Sequence, residues 1–342
     1  MTDHLGVSVV ICAYTEKRWE QTCAAIKSVQ SQDPEPAEVL LVVDHNPPMA
    51  GRARGVFSGI TVLENDDVPG LSGARNTGLR AASQPVTAFL DDDAEARPGW
   101  LAALIEPYRS PDVVATGGTV HPAWPGQRPR WLPPEFDWVV GCSYRGLPES
   151  LSSIRNPIGA SMSMRTGLAL EVGGFDTGVG RVGTRPVGCE ETELSIRLTA
   201  RIPGASIIYV PASAVDHHVS PDRIRISYFL RRCWHEGISK AMVVRLAGAL
   251  SGLERERRHV AVTLPLGVLR DLRASVTGDP DAFRRALVTV AGLCSAAAGY
   301  VRGRMQLSSS HLTPRSRRRP VSHPPVLPPA ESQDPPTARL DV

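Results

Sequence analysis

Strand-like and helix-like segments alternate along the first ninety residues, and this alternation constrains the fold more than any other feature of the sequence. The strand-like runs are short, apolar and rich in β-branched residues, whereas the segments between them repeat their apolar residues with helical spacing. Such an order predicts an α/β fold, with a mostly parallel sheet flanked by helices. The strand-like runs are residues 7–14, 38–44, 59–65 and 86–93, and the helical segments are residues 17–32 and 72–83.

Three consecutive carboxylates, Asp91, Asp92 and Asp93, end the fourth strand-like run, and Asp44 ends the second. Ligands of mostly parallel sheets bind beyond the carboxyl ends of the strands, where these side chains should meet. Like charges crowded at the end of a buried strand repel one another and lose hydration, so a bound cation is expected. Oxygen ligands suit Mg²⁺ or Mn²⁺, which would also bind a substrate's phosphates. The alternative is an acidic turn that caps the next helix.

The composition is that of a globular protein with one large core or two modest ones. The chain has 342 residues, of which 42% are hydrophobic and 21% charged. Asp3 stands where a secretory signal would be basic, and the six cysteines show no C-x-x-C pair. Both features lead us to expect a cytoplasmic protein whose cysteines are small apolar fillers.

Six segments occur in the order and at the spacing typical of the family 2 glycosyltransferases, which are nucleotide-sugar enzymes of the GT-A fold. The chain resembles this family from about residue 7 to residue 220. The resemblance implies a GT-A fold and the transfer of a sugar from a nucleotide-sugar donor. The segments are VSVVICAYTEKR, VVDHN, GLSGARNTGLRAA, FLDDDAEARPGWL, GGFD and GCEETELSIRL.

The resemblance also implies roles for individual donor-site residues. The D-x-D motif of the family corresponds to Asp91, nearer the ribose, and Asp93, on the metal, with Asp92 between them. An Arg fork such as that of Arg75 suits a phosphate or a uracil edge. The other positions that match the nucleotide site are Tyr14, Thr15 and Glu16 in the base-and-ribose pocket, Asp44 at the nucleoside, and Asn76 beside Arg75.

The catalytic base and a further metal ligand are expected downstream. The family usually has Glu-Asp where this chain has Glu190 and Glu191, and either could take the proton from the acceptor hydroxyl. Glu193 could face the same groove or be a solvated charge. His217 and His218, expected just after a strand, match the place where related enzymes have a His that contacts the metal or the diphosphate, although a structural role is equally open.

Three segments, FDWVVGCSYRG, RNPIGA and GRVGTRPVGCEETE, resemble a subgroup described as glucosyl-dolichyl-phosphate glucuronosyltransferases. This implies a UDP-sugar donor, with UDP-glucuronate as one candidate, and a lipid-linked or glycan acceptor, with a polyprenyl phosphate as the lipid. Arg155, Arg181 and Arg185 could bind an acceptor phosphate or a carboxylated sugar. The aromatic-rich segment 121–148 could stack on sugar or isoprenoid, or form a small core of its own.

The last third of the chain differs in charge and composition. Residues 1–220 carry seven more acidic than basic residues, whereas residues 221–342 carry ten more basic than acidic ones. The apolar run 286–301 is shorter than the roughly 20 residues of a membrane span, so it is either a buried helix or an interfacial one flanked by Arg. From residue 308 the Pro-rich tail should be disordered.

We therefore predict three regions, a GT-A domain at 1–220, a helical region at 221–306 that is either buried or membrane-associated, and a disordered tail at 307–342. The predicted protein is an inverting, metal-dependent glycosyltransferase at the inner face of the cell membrane. Nucleic acid is not expected as a partner. The alternatives are a nucleotidylyltransferase, which normally needs a Gly-rich phosphate loop that CAYTEKRWE lacks, and a sugar-nucleotide-binding protein without catalysis.

Overall fold

The structure is a computed structural model that describes residues 5–178, 189–247 and 258–309. Side chains are described up to residue 244 in the second range and up to residue 306 in the third. Arg181 and Arg185 lie outside the described residues, as does the predicted disordered tail apart from residues 307–309. The division into three regions remains a prediction.

The first half of the chain forms the predicted parallel strands. Strand β1 pairs with β2 and β4 in parallel, and β2 pairs with β3 in parallel. In this register Asp91 lies beside Cys12 and Val43 beside Ala13, so β1, β2 and β4 end at one edge. The strands are β1 (Val7–Ala13), β2 (Glu38–Val43), β3 (Thr61–Glu64) and β4 (Val86–Asp91).

The second half of the chain adds strands in both directions. Their antiparallel pairs are β4 with β8, β6 with β8, β5 with β9, and β7 with β9, whereas β6 and β9 are parallel. The order is β3-β2-β1-β4-β8-β6-β9-β5, with β7 paired to β9. The strands are β5 (Ala94–Ala96), β6 (Val113–Ala123), β7 (Ser152–Ile154), β8 (Ser161–Arg165) and β9 (Ser206–His218).

Helices cover both faces of the sheet, and a hydrophobic cluster lies on each side of it. The expected helices at 17–32 and 72–83 are α1 and α3, while α2 was not expected from the apolar spacing. Asn46 starts α2, because its Oδ1 accepts a hydrogen bond from Met49 N at 3.3 Å and prolines occupy the first turn. The helices are α1 (Trp19–Gln30), α2 (Pro47–Val56), α3 (Leu71–Ala81), α4 (Trp100–Ile105), α5 (Thr166–Glu171) and α6 (Glu190–Arg201).

The C-terminal helices build a third hydrophobic cluster together with the aromatic segment. Phe136, in the 3-10 turn Pro134–Val140, packs against Phe229 with tilted rings whose centroids are 5.2 Å apart, and Trp131 contacts Phe229 edge-on. The aromatic-rich segment 121–148 therefore contributes to a small core, which was one of our two interpretations of this segment. The helices concerned are α7 (Ile226–Ala247), α8 (Leu264–Val276) and α9 (Ala282–Ser309).

Helix α9 has one packed side and one exposed side. Its packed side approaches α7 through Gly299, where a Cβ would collide with the backbone of Trp234, and through Gly303, where a Cβ would collide with the Ala241 side chain. Its exposed side carries large apolar residues in two groups, at 283–290 and at 301–305. By length and composition alone, the segment Ala282–Gln306 could cross a membrane. In its most apolar stretch of 18 residues, 33% is buried within the protein. One side of residues 286–301 is therefore buried, and the interfacial interpretation of this segment stays a prediction.

Candidate active site

Asp91, Asp93 and His217 come together at the end of strand β4. One ligand atom from each lies within 4.8 Å of the others, and His217 Nε2 is 3.3 Å from Asp93 Oδ1. Pairing of β5 with β9 sets His217 beside Ala94, which explains how residues so distant in sequence meet. Two carboxylates and an imidazole are donors that suit Mn²⁺ and similar divalent ions.

His217 and His218 occupy consecutive positions of one strand, so their side chains point to opposite sides of the sheet. We expected both to follow the strand, but they are the last two residues of β9. His217 is buried, whereas His218 Nε2 is 2.6 Å from Glu95 Oε1. Of the two predicted histidine ligands, the structure therefore brings His217 to Asp91 and Asp93, which form the acidic cluster of the site, and places His218 beside Glu95.

Arg18 lies against the middle and last members of the acidic triplet. Its Nη1 is 2.8 Å from Asp92 Oδ1 and 3.0 Å from Asp93 Oδ2. Burial and the neighbouring Asp93 carboxylate raise the pKa of Asp92 to about 7. Burial alone would also raise the pKa of Asp93, but His217, Arg18 and Arg223 more than offset it and hold that pKa well below its ordinary value.

Arg75 joins the acidic triplet to the predicted base. Its side chain is 2% exposed, with Nη2 3.3 Å from Asp91 Oδ1 and Nη1 3.1 Å from Glu191 Oε1 and 3.4 Å from Glu190 Oε1. Burial alone would lower the pKa of Arg75, but the three carboxylates keep it above the ordinary value. A buried charge of this kind requires such partners, so the side chains at the ends of β4 and α6 hold one another in place.

The two glutamates occupy the first turn of α6, and they differ in exposure. The Glu190 side chain is 4% exposed and that of Glu191 is 17% exposed. Glu193 points elsewhere, since it pairs with Arg197, which also donates to the carbonyl groups of Val172 and Gly174. Glu191 is therefore the most exposed of these three glutamates.

The predicted nucleoside residues follow β1 and β2, which end beside β4. Asp44 accepts hydrogen bonds from Asn65 Nδ2 at 2.6 Å and from the backbone N–H of Gly70 at 2.9 Å, which fixes the start of α3. Tyr14 is 55% exposed. Thr15 caps the 3-10 turn Glu16–Arg18 through Lys17 N, and Glu16 pairs with Arg52.

Asn76 has a different environment from that of its neighbour Arg75. Its Nδ2 donates to Phe175 O at 2.9 Å, and its Oδ1 accepts from Phe175 N at 2.7 Å. Both ends of the amide thus hold the GGFD segment against α3. These contacts do not support the predicted place of Asn76 at the nucleotide, which stays a prediction.

A cavity of about 770 Å³ runs from the acidic cluster to the C-terminal helices. One end is lined by Asp91, Arg75, Glu191 and His217, and the far wall comes from α7, α8 and α9. That wall combines apolar side chains with the charged series of α7. The residues of the wall are Arg232, Glu236, Lys240, Leu264, Leu293, Ala296, Ala297, Tyr300 and Val301.

Two residues of this site, Arg18 and Arg223, were missed by the sequence reasoning. Arg223 Nη1 lies 3.4 Å from His217 Nε2, and Nη2 lies 3.9 Å from Asp93 Oδ2. Arg18 lies within one of the family-like segments, but nothing in its spacing indicated a contact with residues 74 positions away. Both contacts depend on the strand order, which the local pattern does not reveal.

Comparison with known proteins gives a consistent family and fold. Residues 8–172 match the model of glycosyl transferase family 2. The chain is 37% identical over 243 residues to the glucosyl-dolichyl phosphate glucuronosyltransferase of Haloferax volcanii. The aligned residues cover 70% of this chain and 77% of that protein.

Two solved structures share the fold at 18% sequence identity. The mannosyltransferase PcManGT from Pyrobaculum calidifontis, in complex with GDP-Man and Mn²⁺, superimposes with a TM-score of 0.58 over 88% of each chain. GalNAc-T7 with UDP, GalNAc and Mn²⁺ gives a TM-score of 0.51 over 76% of this chain and 55% of its own. These similarities confirm the predicted GT-A fold.

Proposed function

Because this chain belongs to glycosyltransferase family 2, we propose that it transfers a sugar, with inversion, from a UDP-sugar to a lipid-linked acceptor in a metal-dependent reaction. The observation that carries the proposal is that two of the three possible metal ligands, Asp91 and His217, line one cavity together with Arg75 and Glu191. A leaving group, its counter-charge and a base would thus be adjacent.

The residues present fit a divalent metal ion. Asp91, Asp93 and His217 would hold it, and the low pKa of Asp93 keeps that carboxylate ionised at neutral pH, as a metal ligand must be. A bound Mn²⁺ or Mg²⁺ would neutralise charge on the departing diphosphate. Arg75 lies 3.3 Å from Asp91 and adds a fixed positive charge beside the same position.

Glu191 is the residue we assign as the general base. Both glutamates line the cavity, but the Glu191 side chain is 17% exposed and that of Glu190 only 4%. A base must reach the acceptor hydroxyl to take its proton as the sugar carbon is attacked. Arg75, whose Nη1 is 3.1 Å from Glu191 Oε1, would hold this carboxylate in its orientation before the acceptor enters.

The acceptor proposal is supported by the far wall of the cavity and by the relative from Haloferax volcanii, whose name refers to glucosyl-dolichyl phosphate. Apolar side chains of α9 would contact an isoprenoid chain. The basic residues of α7, Arg232 and Lys240, line the same cavity and would contact the acceptor's phosphate. The same name supports glucuronate as the transferred sugar. Arg155, which also lines the cavity, is a candidate partner for its carboxylate.

A lipid-linked acceptor requires contact with a membrane. We propose a cytoplasmic protein that binds the inner face of the cell membrane through α8 and α9. Both helices expose large apolar residues, and Arg258, Arg273, Arg284, Arg302 and Arg304 lie exposed in the same region. Such a combination favours an interfacial position on anionic lipid.

A thermal-shift and transfer experiment tests the proposed function. Mn²⁺ together with UDP should raise the melting temperature of the wild-type protein more than GDP or dTDP with Mn²⁺, because ligands stabilise the folded state by mass action. Labelled glucuronate should move from UDP-glucuronate to a glucosyl polyprenyl phosphate. The Asp93→Asn variant should lose transfer and the Mn²⁺-dependent shift while keeping its fold by circular dichroism.

The alternatives predict other results in the same experiment. A nucleotidylyltransferase would form a nucleotide-sugar from a sugar phosphate and UTP with release of pyrophosphate, and a binding protein would give the shift without any product. Undiminished transfer by Asp93→Asn would contradict the proposed role of the acidic cluster.

A further inference from the structure

The chain places one of its own cations among the carboxylates of the proposed metal site. Arg18 Nη1 donates to Asp92 Oδ1 at 2.8 Å and lies 3.0 Å from Asp93 Oδ2. The side chains of Asp92 and Asp93 are each 5% exposed, so water screens these contacts weakly. A metal ion arriving at Asp93 would therefore meet a site that Arg18 has already partly neutralised.

We propose that Arg18 is a positioning residue that holds Asp92 and Asp93 in the metal-free protein and lowers the affinity of the site for divalent metal. This inference rests on the proposed function, because it takes Asp91, Asp93 and His217 as the metal ligands. Arg18 and the metal ion would compete for the same negative charge.

Asp92 has a role in this arrangement although it is not part of the three-residue cluster of possible ligands. Its Oδ2 is buried and, among the described residues, has no hydrogen-bond partner, while its Oδ1 accepts from Arg18. An ionised carboxylate this deeply buried needs a counter-charge. Asp92 thus retains Arg18 when Asp93 turns to the metal, so the guanidinium need not leave the site entirely.

Arg18 also has room for a small displacement. It ends the 3-10 turn Glu16–Arg18, its side chain is 22% exposed, and its guanidinium carbon lies 5.5 Å from the centre of the exposed Tyr14 ring. A cation over an aromatic face is attracted to it without using a carboxylate. The contact with Asp93 can therefore lengthen while the contacts with Asp92 and Tyr14 remain.

The Arg18→Met variant tests the competition directly, since Met keeps an unbranched apolar stem and removes the charge. We expect this variant to bind Mn²⁺ about tenfold more tightly than the wild type at pH 8, which corresponds to roughly 1.4 kcal/mol. The loss of the free Mn²⁺ signal in electron paramagnetic resonance measures binding, with and without UDP. Arg18→Lys, which keeps a positive charge, should stay within about threefold of the wild type.

Arg52→Met is the matched control, because Arg52 pairs with Glu16 and lies over the Trp19 ring on the same part of the chain. Its Mn²⁺ affinity should equal that of the wild type. In addition, Arg18→Met should melt at a lower temperature than the wild type in EDTA, yet gain more degrees on addition of Mn²⁺. A purely structural role for Arg18 would lower both melting temperatures equally.

Three outcomes overturn the inference. Unchanged Mn²⁺ affinity in Arg18→Met, with normal binding by the wild type, would remove Arg18 as a competitor but leave the metal site intact. Weaker binding would mean that Arg18 assists the metal ligands instead. Absence of Mn²⁺ binding by the wild type, with or without UDP, would overturn the metal-dependent function itself and this inference with it.

Discussion

Two adjacent glutamates differ in exposure, and this difference supports the proposal that Glu191 is the base. Glu190 and Glu191 both contact Arg75 and both line the cavity, but the Glu191 side chain is about four times as exposed. Gly159 packs directly against the Glu191 carboxylate, where a Cβ would collide with Oε1. The carboxylate is thus confined on one side by backbone and on another by Arg75, which leaves the cavity as its open direction.

Glu191→Gln should reduce transfer by about 10²- to 10⁴-fold, the usual contribution of a general base. Binding of UDP with Mn²⁺ should remain, because the amide replaces only the group that takes the proton. Single-turnover transfer assays and thermal shifts measure the two effects separately. Glu190→Gln serves as the comparison, and a larger loss of transfer in that variant would reverse the assignment.

Helix packing decides how the C-terminal region is joined to the domain that precedes it. Helices α7 and α9 approach closely because Gly237, Gly299 and Gly303 present no side chain at the contact. The buried residues Glu135 and Asp271 then share Arg270, which ties the aromatic segment to α8. Close backbone contact thus joins α7 to α9, and the ion pairs of Arg270 join α8 to the aromatic segment.

Gly299→Ala should lower the free energy of unfolding by about 1 to 3 kcal/mol, because the added Cβ collides with the backbone of Trp234. Urea denaturation measures the change. Gly55→Ala is the control, since Gly55 lies in helix α2 with nothing within 4 Å of the added Cβ. That substitution should stabilise the protein by up to about 1 kcal/mol through helix propensity, and an equal loss in both variants would argue against the packing explanation.

Three charged residues of α7 should make stability depend on pH at the acidic end. Glu236 lies between Arg232 at 2.9 Å and Lys240 at 3.2 Å. Burial would raise the pKa of Glu236, but Lys240 and Arg232 outweigh it and lower the pKa from 4.5 to about 2. Since the pKa is lower in the folded protein, the stabilisation is complete above pH 4.5 and is lost as the pH falls towards 2.

Glu236→Gln should therefore cost on the order of 3 kcal/mol at pH 7, the amount that corresponds to this shift. The difference from the wild type should shrink as the pH is lowered from 4.5 to 2, as measured by urea denaturation at each pH. Glu16→Gln, which removes an exposed partner of Arg52, should change stability by less than about 0.5 kcal/mol at any pH. A constant difference for Glu236→Gln across this range would contradict the electrostatic explanation.

Across the whole molecule, apolar exposure is concentrated in the C-terminal helices. Exposed large apolar residues recur at three- or four-residue spacing along α8 and in two groups on α9, at 283–290 and 301–305, which gives α8 a continuous apolar stripe and α9 an interrupted one. On α9 the stripe includes Val301, which also lines the cavity. The cavity that ends at Glu191 is therefore bordered by the apolar surface. The stripes consist of Leu266, Leu269, Leu272 and Val276 on α8, and Phe283, Leu287, Val290, Val301 and Met305 on α9.

Leu287→Glu should weaken binding to vesicles that contain anionic lipid by about tenfold or more, because it replaces an apolar contact of about 1.5 to 3 kcal/mol by a charge. Co-sedimentation with vesicles measures binding. Leu170→Glu is the matched control, since Leu170 is an exposed apolar residue of α5, outside the C-terminal helices. Equal binding by the wild type and Leu287→Glu would exclude this surface of α9 as the membrane contact.

The sequence by itself determined the α/β class, the strands β1 to β4, the helices α1 and α3, and the carboxylates at the ends of the strands. These features are local, because the periods of apolar residues and the order of motifs can be read along the chain. The same is true of the family, since six motifs in order identify it without any contact being known.

The tertiary structure alone decided which of these side chains meet. Strand β9 runs beside β6 and β5, so His217 reaches Asp93 while His218 turns to Glu95. Sheet order likewise brings Arg18 to Asp92, and helix packing gives α9 one buried and one exposed side. Contacts between residues far apart in sequence depend on the register and order of the strands, and no local pattern encodes them.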